Sequence, residues 1–246
     1  MRRAANPNLE IMEIAVARLG ELAEEMVFLG GCATGLLITD AVAPPIRATK
    51  DVDMIAEVAS LIEYHRLSKR LHEQGFSEDQ SPDAPICRWQ AGGILLDVMP
   101  THPEVLGFGN EWYLPAFDAA VWSALPSGKK IRMVSAPYFL ATKLAAFDGR
   151  GQGDYMMSHD MEDIVAVLDG RPEIVDDVLS CDRKLRDHIQ ARLSALVTDD
   201  RFIDALPGHM PGDAGSAPTK NEPLRRWRLD KTADAYSTLP KDGSLE

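Results

Sequence analysis

Residues 28–55 read FLGGCATGLLITDAVAPPIRATKDVDMI, and the two ends of this stretch decide the fold. A strand alternates its side chains between two faces, so Asp51 and Asp53, two apart in a β-prone run, project side by side from one face. At the other end Gly30 and Gly31 close a short apolar strand at 26–29 and permit a tight turn with close approach of backbone to a ligand. Residues 33–40 then read as a helix. The free N–H groups of its first turn, and the positive end of its dipole, face the glycine turn and suit a phosphate. A third acid, Asp97, interrupts the apolar strand ILLDVM at 94–99. Three carboxylates on neighbouring strands form a hard-oxygen set for Mg²⁺ or Mn²⁺ bridging to substrate phosphates. Each feature taken singly also fits a solvated strand end or a glycine pair that merely ends a strand. Their order along the chain carries the functional reading.

Outward from this stretch, residues 7–25 place Ile11, Ile14, Ala15, Leu19 and Leu22 at helical spacing and read as an amphipathic surface helix. Pro44 and Pro45 break the helix after the glycines, and Arg47 and Lys50 lead into the acid-bearing strand as candidate contacts to a triphosphate or an acceptor. Residues 58–74 form another helix, ended by Gly75. Two strands, 86–90 and 94–99, are joined as a hairpin through Ala91-Gly92-Gly93, and a second pair, 119–125 and 130–134, extends the same antiparallel sheet. From Pro137 the apolar period becomes helical and remains so to residue 206. Beyond it the composition shifts to Pro, Gly, Ser and charge, as in an extended tail. Within that tail the RRWR cluster at 225–228 is a basic-aromatic segment able to dock on a partner or RNA, although such a segment is more often a solvated stretch of tail.

The order glycine pair, Asp-Val-Asp, then a later strand acid resembles the nucleotidyltransferase superfamily related to DNA polymerase β. The variant GGCA followed by RATKDVDMI is most similar to its AbiEii-type branch, over roughly residues 27–169. The resemblance implies that Asp51, Asp53 and Asp97 are the catalytic, metal-holding acids. It also implies that Gly30, Gly31, Arg47, Lys143 and Asp160 bind nucleotide, Lys143 on phosphate with Asp160 in support, and Asp163 one turn further on. His159 stands where family members commonly carry Arg or Lys. The implied reaction moves a nucleoside monophosphate from an NTP to an acceptor hydroxyl with two Mg²⁺ ions, Asp97 assisting deprotonation. The acceptor would be a macromolecule such as tRNA, and the chain a toxin with a cognate antitoxin. The alternatives are a small-molecule, aminoglycoside-type enzyme and a non-catalytic partner protein that kept the fold.

The expected architecture is α/β (α+β): a small mixed, mainly antiparallel sheet in a catalytic domain at 1–135, a helical region at 136–206 and a tail at 207–246. At 246 residues and 45% hydrophobic the chain can bury a substantial core. It has no apolar run long enough to span a membrane and no secretory h-region, so a cytoplasmic protein is expected. Cys32, Cys87 and Cys181 lack metal or disulfide spacing, and Cys32 reads as a packing residue. A net charge of −12 opposes long-range attraction to nucleic acid.

Overall fold

The computed structural model describes residues 6–151 and 153–210. The RRWR cluster, and the expected tail beyond Met210, lie outside the described residues. Among the described residues seven strands form one sheet: β1 (Met26–Leu29), β2 (Asp51–Ala56), β3 (Ser77–Glu78), β4 (Arg88–Ala91), β5 (Ile94–Pro100), β6 (Val121–Ala124) and β7 (Lys130–Met133). They lie in the order β3-β4-β5-β2-β1-β7-β6. The sheet is mixed and mainly antiparallel, as expected. Only β2 with β5 and β1 with β7 run parallel. The β6–β7 hairpin therefore joins the sheet through a parallel pairing, unlike the antiparallel extension expected from its sequence.

Strand register decides what faces the site. Asp53 pairs with Leu29 on one side and Asp97 on the other, and Arg88 lies opposite Asp97 on the next strand. Directly paired residues share a face, so all three acids and Arg88 emerge on one side. The opposite face carries Phe28, Val52, Met54, Trp89, Leu96 and Val98, all essentially inaccessible.

Around the sheet lie α1 (Leu9–Leu19), α2 (Gly30–Leu37), α3 (Leu61–Glu73) and α4 (Tyr113–Asp118), with α5 (Ala136–Arg150), α6 (His159–Gly170), α7 (Ile174–Ser180), α8 (Arg183–Leu196) and α9 (Asp200–His209) following. The expected single helix at 7–25 is split, its second half being a 3₁₀ turn over Gly20–Glu25. α2 begins at the glycines themselves, three residues before the helix read from sequence. α5 is buried almost all round, from Ala136 to Leu144. It packs against α6, α7 and α8, while α2 packs on β2, α5 and α6. Helix α9 continues through Pro207 to His209. Among the described residues no helix is long and apolar enough to cross a membrane.

Candidate active site

The end of β1, the start of β2, the middle of β5 and the helices α5 and α6 wall one open cleft of about 1430 Å³. Of the residues singled out from sequence, Gly30, Gly31, Arg47, Lys50, Asp51, Asp53, Asp97, Lys143 and Asp160 line it, and Asp163 does not. Gly30 takes φ +68°, and a Cβ there would lie 2.0 Å from Asp53 Oδ2. The carboxylate thus sits directly on the glycine backbone, and any side chain would displace it. Gly93, with φ +84° and nothing near its Cβ position, isolates the backbone strain from this contact. Gly93→Ala should cost about 1–2 kcal/mol for the left-handed conformation alone. Gly30→Ala should cost clearly more in urea unfolding, and equal losses would show that the Asp53 contact contributes nothing.

Loop residues 47–49 are held against the turn by Asn8, which is buried at the N-terminus of α1. Its Nδ2 donates to the carbonyls of Gly31 and Arg47, both at 3.2 Å, and its Oδ1 accepts from the Thr49 N–H at 2.9 Å. Thr49 Oγ1 in turn donates to Asp51 Oδ1 at 2.7 Å. The segment at 7–25, read from sequence as an amphipathic surface helix, therefore clamps the turn that orients Asp51.

The three acids are not equivalent. Asp97 accepts from Arg88 Nε at 2.7 Å and Nη2 at 2.6 Å, and Asp51 accepts from the same Nη2 at 2.9 Å. Among the described residues no donor hydrogen-bonds to the Asp53 carboxylate. Burial, followed by the charge of Asp51, raises its pKa to about 7; Asp97 adds to the rise, and Lys143 opposes it. An acid so placed, between two like charges and against a glycine backbone, is matched to a cation. Among the described residues no three His, Cys, Asp or Glu side chains form a ready-made metal cage, and the Arg88 guanidinium lies between Asp51 and Asp97. Three carboxylates, one unpaired, nonetheless fit the donor chemistry of Mg²⁺ or Mn²⁺.

The opposite wall is a charge network between α5 and α6. Lys143 Nζ is buried between Asp160 Oδ1 at 3.0 Å and Asp163 Oδ2 at 2.7 Å. Arg150, which ends α5, grips both oxygens of Asp160. Arg47 reaches across to Asp163 at 2.9 Å and approaches Glu162 at 3.8 Å. Arg47 is thus engaged with α6. His159 is exposed and lies beside Glu162. Cys32 is buried, with its thiol on the Leu29 carbonyl, and burial, aided by Asp53, pushes its pKa far up. This is the packing cysteine the sequence suggested. Tyr113, in the unanticipated α4, lines the cleft, and its phenol is likewise pushed up by burial and by Asp53.

The site thus combines a mixed sheet with acids on adjacent strands, a glycine turn opening a helix and a helical wall opposite. No protein-family model matches the sequence, and no curated protein matches it. Among solved structures, the chain is 20% identical to an antigenic nucleotidyltransferase-like protein from Paracoccidioides brasiliensis, over 87% of this chain and 98% of that one, with a TM-score of 0.48. It is 16% identical to the solution structure of the antibiotic-resistance factor ANT(2'')-Ia, over 76% and 94%, with a TM-score of 0.46. A crystal structure of ANT(2'')-Ia with adenylyl-2''-tobramycin gives 15% identity over 74% and 98%, with a TM-score of 0.44.

Proposed function

We propose that the cleft transfers a nucleoside monophosphate from an NTP to an acceptor hydroxyl. The observation that carries this reading is the Asp53 carboxylate, without a hydrogen-bond donor among the described residues, resting on the Gly30 turn beside Asp51 and Asp97. Bound at these three acids, divalent metal would draw charge from the α-phosphate and the departing pyrophosphate. The N–H groups opening α2 meet phosphate oxygens. Lys143 holds the β or γ phosphate, with Asp160 and Asp163 keeping its ammonium charged and in place. Asp97, one strand further from the glycine turn, takes the acceptor proton as the new O–P bond forms and pyrophosphate leaves. A non-catalytic partner would have no use for a carboxylate without a hydrogen-bond donor at this position, since such a group destabilises the fold.

The acceptor is the finer question. The AbiEii-type resemblance implies a macromolecule such as the 3′ end of tRNA, with a cognate antitoxin. Charge in the cleft favours a small cationic acceptor of aminoglycoside type. Seven carboxylates line it against five Lys and Arg, and four of those five cations, Arg47, Arg88, Lys143 and Arg150, are already held in ion pairs. Phosphate-rich RNA needs free cations, whereas a cationic acceptor needs none and meets acids outside the metal-holding set, such as Glu111 and Asp154.

Two measurements test the reading. Mg²⁺ with an NTP should raise the melting temperature, with about 2.7 kcal/mol of stabilisation when free nucleotide is 100-fold above its Kd. No shift with any NTP would remove the nucleotide site. Incubation with each labelled NTP, Mg²⁺ and either total RNA or an aminoglycoside panel then identifies the acceptor. Label on the drugs alone supports the cationic class, and label on RNA alone supports the toxin reading.

A further inference from the structure

Among the described residues, Arg88 is the one strand residue whose side chain hydrogen-bonds to two of the three acids. It lies opposite Asp97 across the β4–β5 hairpin, so a cross-strand ion pair with Asp97 would follow from register alone. The second contact does not. The guanidinium extends beyond Asp97 to β2, and its Nη2 stands 2.6 Å from Asp97 Oδ2 and 2.9 Å from Asp51 Oδ2. One nitrogen therefore bridges two carboxylate oxygens on adjacent strands, the place a divalent ion would occupy to bind both. Magnesium takes its oxygen ligands at about 2.0–2.1 Å, so ion and nitrogen exclude each other there. The side chain stands on the cleft wall, 21% exposed, where an entering ion can reach it.

The geometry points to Arg88 as a resident cation that holds Asp51 and Asp97 in place before metal arrives and gives up Asp51 when the divalent ion enters. The inference rests on the metal-dependent reading of this cleft. It makes Arg88 a positioning residue that sets metal affinity: without a counter-charge, acids gathered on adjacent strands would repel one another and lose their preset arrangement. Binding and displacement are linked reciprocally, since whatever strengthens the Arg88 contact must weaken the ion by the same factor.

Mn²⁺ binding, read by electron paramagnetic resonance on the whole protein, tests this without any turnover. Wild type should bind Mn²⁺, and Asp53→Asn should lose most of that binding. Arg88→Met, which keeps side-chain bulk without charge, should bind Mn²⁺ about tenfold tighter, the equivalent of about 1.4 kcal/mol. It should also melt lower than wild type in EDTA, and closer to wild type once Mn²⁺ is present. Arg88→Met binding no tighter than wild type, while Asp53→Asn still loses the ion, would overturn the role of Arg88 and leave the metal site standing. No Mn²⁺ binding by wild type would overturn both together. Should Arg88→Met fail to fold, the wild-type protein supplies the second measurement. The ¹⁵N resonance of the Arg88 Nε–H, assigned by its absence in Arg88→Lys, should move as Mg²⁺ is added, and an unmoved resonance at saturating Mg²⁺ rejects the displacement.

Discussion

Asp53→Asn should abolish nucleotidyl transfer and, without divalent metal, make the protein more stable. The first effect follows from the loss of a carboxylate at the metal site. Several kcal/mol of transition-state charge stabilisation depend on the ion, and at 1.36 kcal/mol per decade transfer should fall by about a thousandfold or more. The second follows from the environment of Asp53. Its carboxyl titrates near 7 in the folded protein against an ordinary 3.8, so the fold keeps a proton that the unfolded chain releases. Rising pH between these values therefore favours unfolding, and the lost stability levels off above about 7. Asparagine has no such proton to lose. The variant should gain on the order of a few kcal/mol over wild type at pH 8 in EDTA, and the difference should vanish near pH 4. Added Mg²⁺ should reverse the order, because only wild type gains from the ion. Urea unfolding at the two pH values, with and without Mg²⁺, reads all of this. Undiminished transfer by Asp53→Asn would end the metal assignment, and equal stability at pH 8 would contradict its uncompensated charge.

Strand identity and the shared face of the acids were legible because period-two alternation is local: Asp51 and Asp53 must share a face once the run is a strand. That Asp97 joins them also followed, since a carboxylate set into an apolar strand is costly unless a cation or donor meets it. Arg88 was lost to a single residue of register. A three-residue loop at Ala91-Gly92-Gly93 would place Cys87 opposite Asp97. The hairpin instead turns on Gly92 and Gly93 alone, with φ of +56° and +84°, which pairs Ala91 with Ile94 and Arg88 with Asp97. A two-glycine turn with both φ positive is the preferred hairpin geometry, so the signal was present. Asn8 was illegible for a different reason. Its three hydrogen bonds span from 23 to 41 residues of sequence, and no local pattern distinguishes an asparagine that caps a surface helix from one that pins a distant loop. The parallel pairing of β7 with β1 was likewise a matter of how α4 and the second hairpin return to the sheet, which strand periodicity leaves open.

Lys143→Met is the substitution expected to cost most in stability. The ammonium is buried, and although burial alone would lower its pKa, Asp163 and Asp160 hold it above its ordinary value. Burial also works against Asp160, but Lys143 and Arg150 keep its pKa below the carboxylate range. The stabilisation from Lys143 is therefore present at neutral pH and lost as pH rises past its ordinary 10.5. That from Asp160 is present above 3.8 and lost as acid protonates it. Removing one partner of a buried pair costs roughly 3–5 kcal/mol because the other charge stays behind. Here Arg150 still holds Asp160 and Arg47 still holds Asp163, so the loss should fall near the lower end, about 3 kcal/mol by urea unfolding. Stability alone does not separate a structural lysine from one that also holds phosphate, but a second substitution does. Asp163→Asn in the Lys143→Met background removes a carboxylate left short of cations and should restore part of the stability. It supplies no cation for the nucleotide. NTP binding, followed by titration with a fluorescent nucleotide, should therefore stay about tenfold to a hundredfold weaker than wild type in the double variant, the equivalent of one charge-assisted hydrogen bond. Recovery of both stability and affinity would assign Lys143 to the α5–α6 packing alone and leave the phosphates to the glycine turn and the metal.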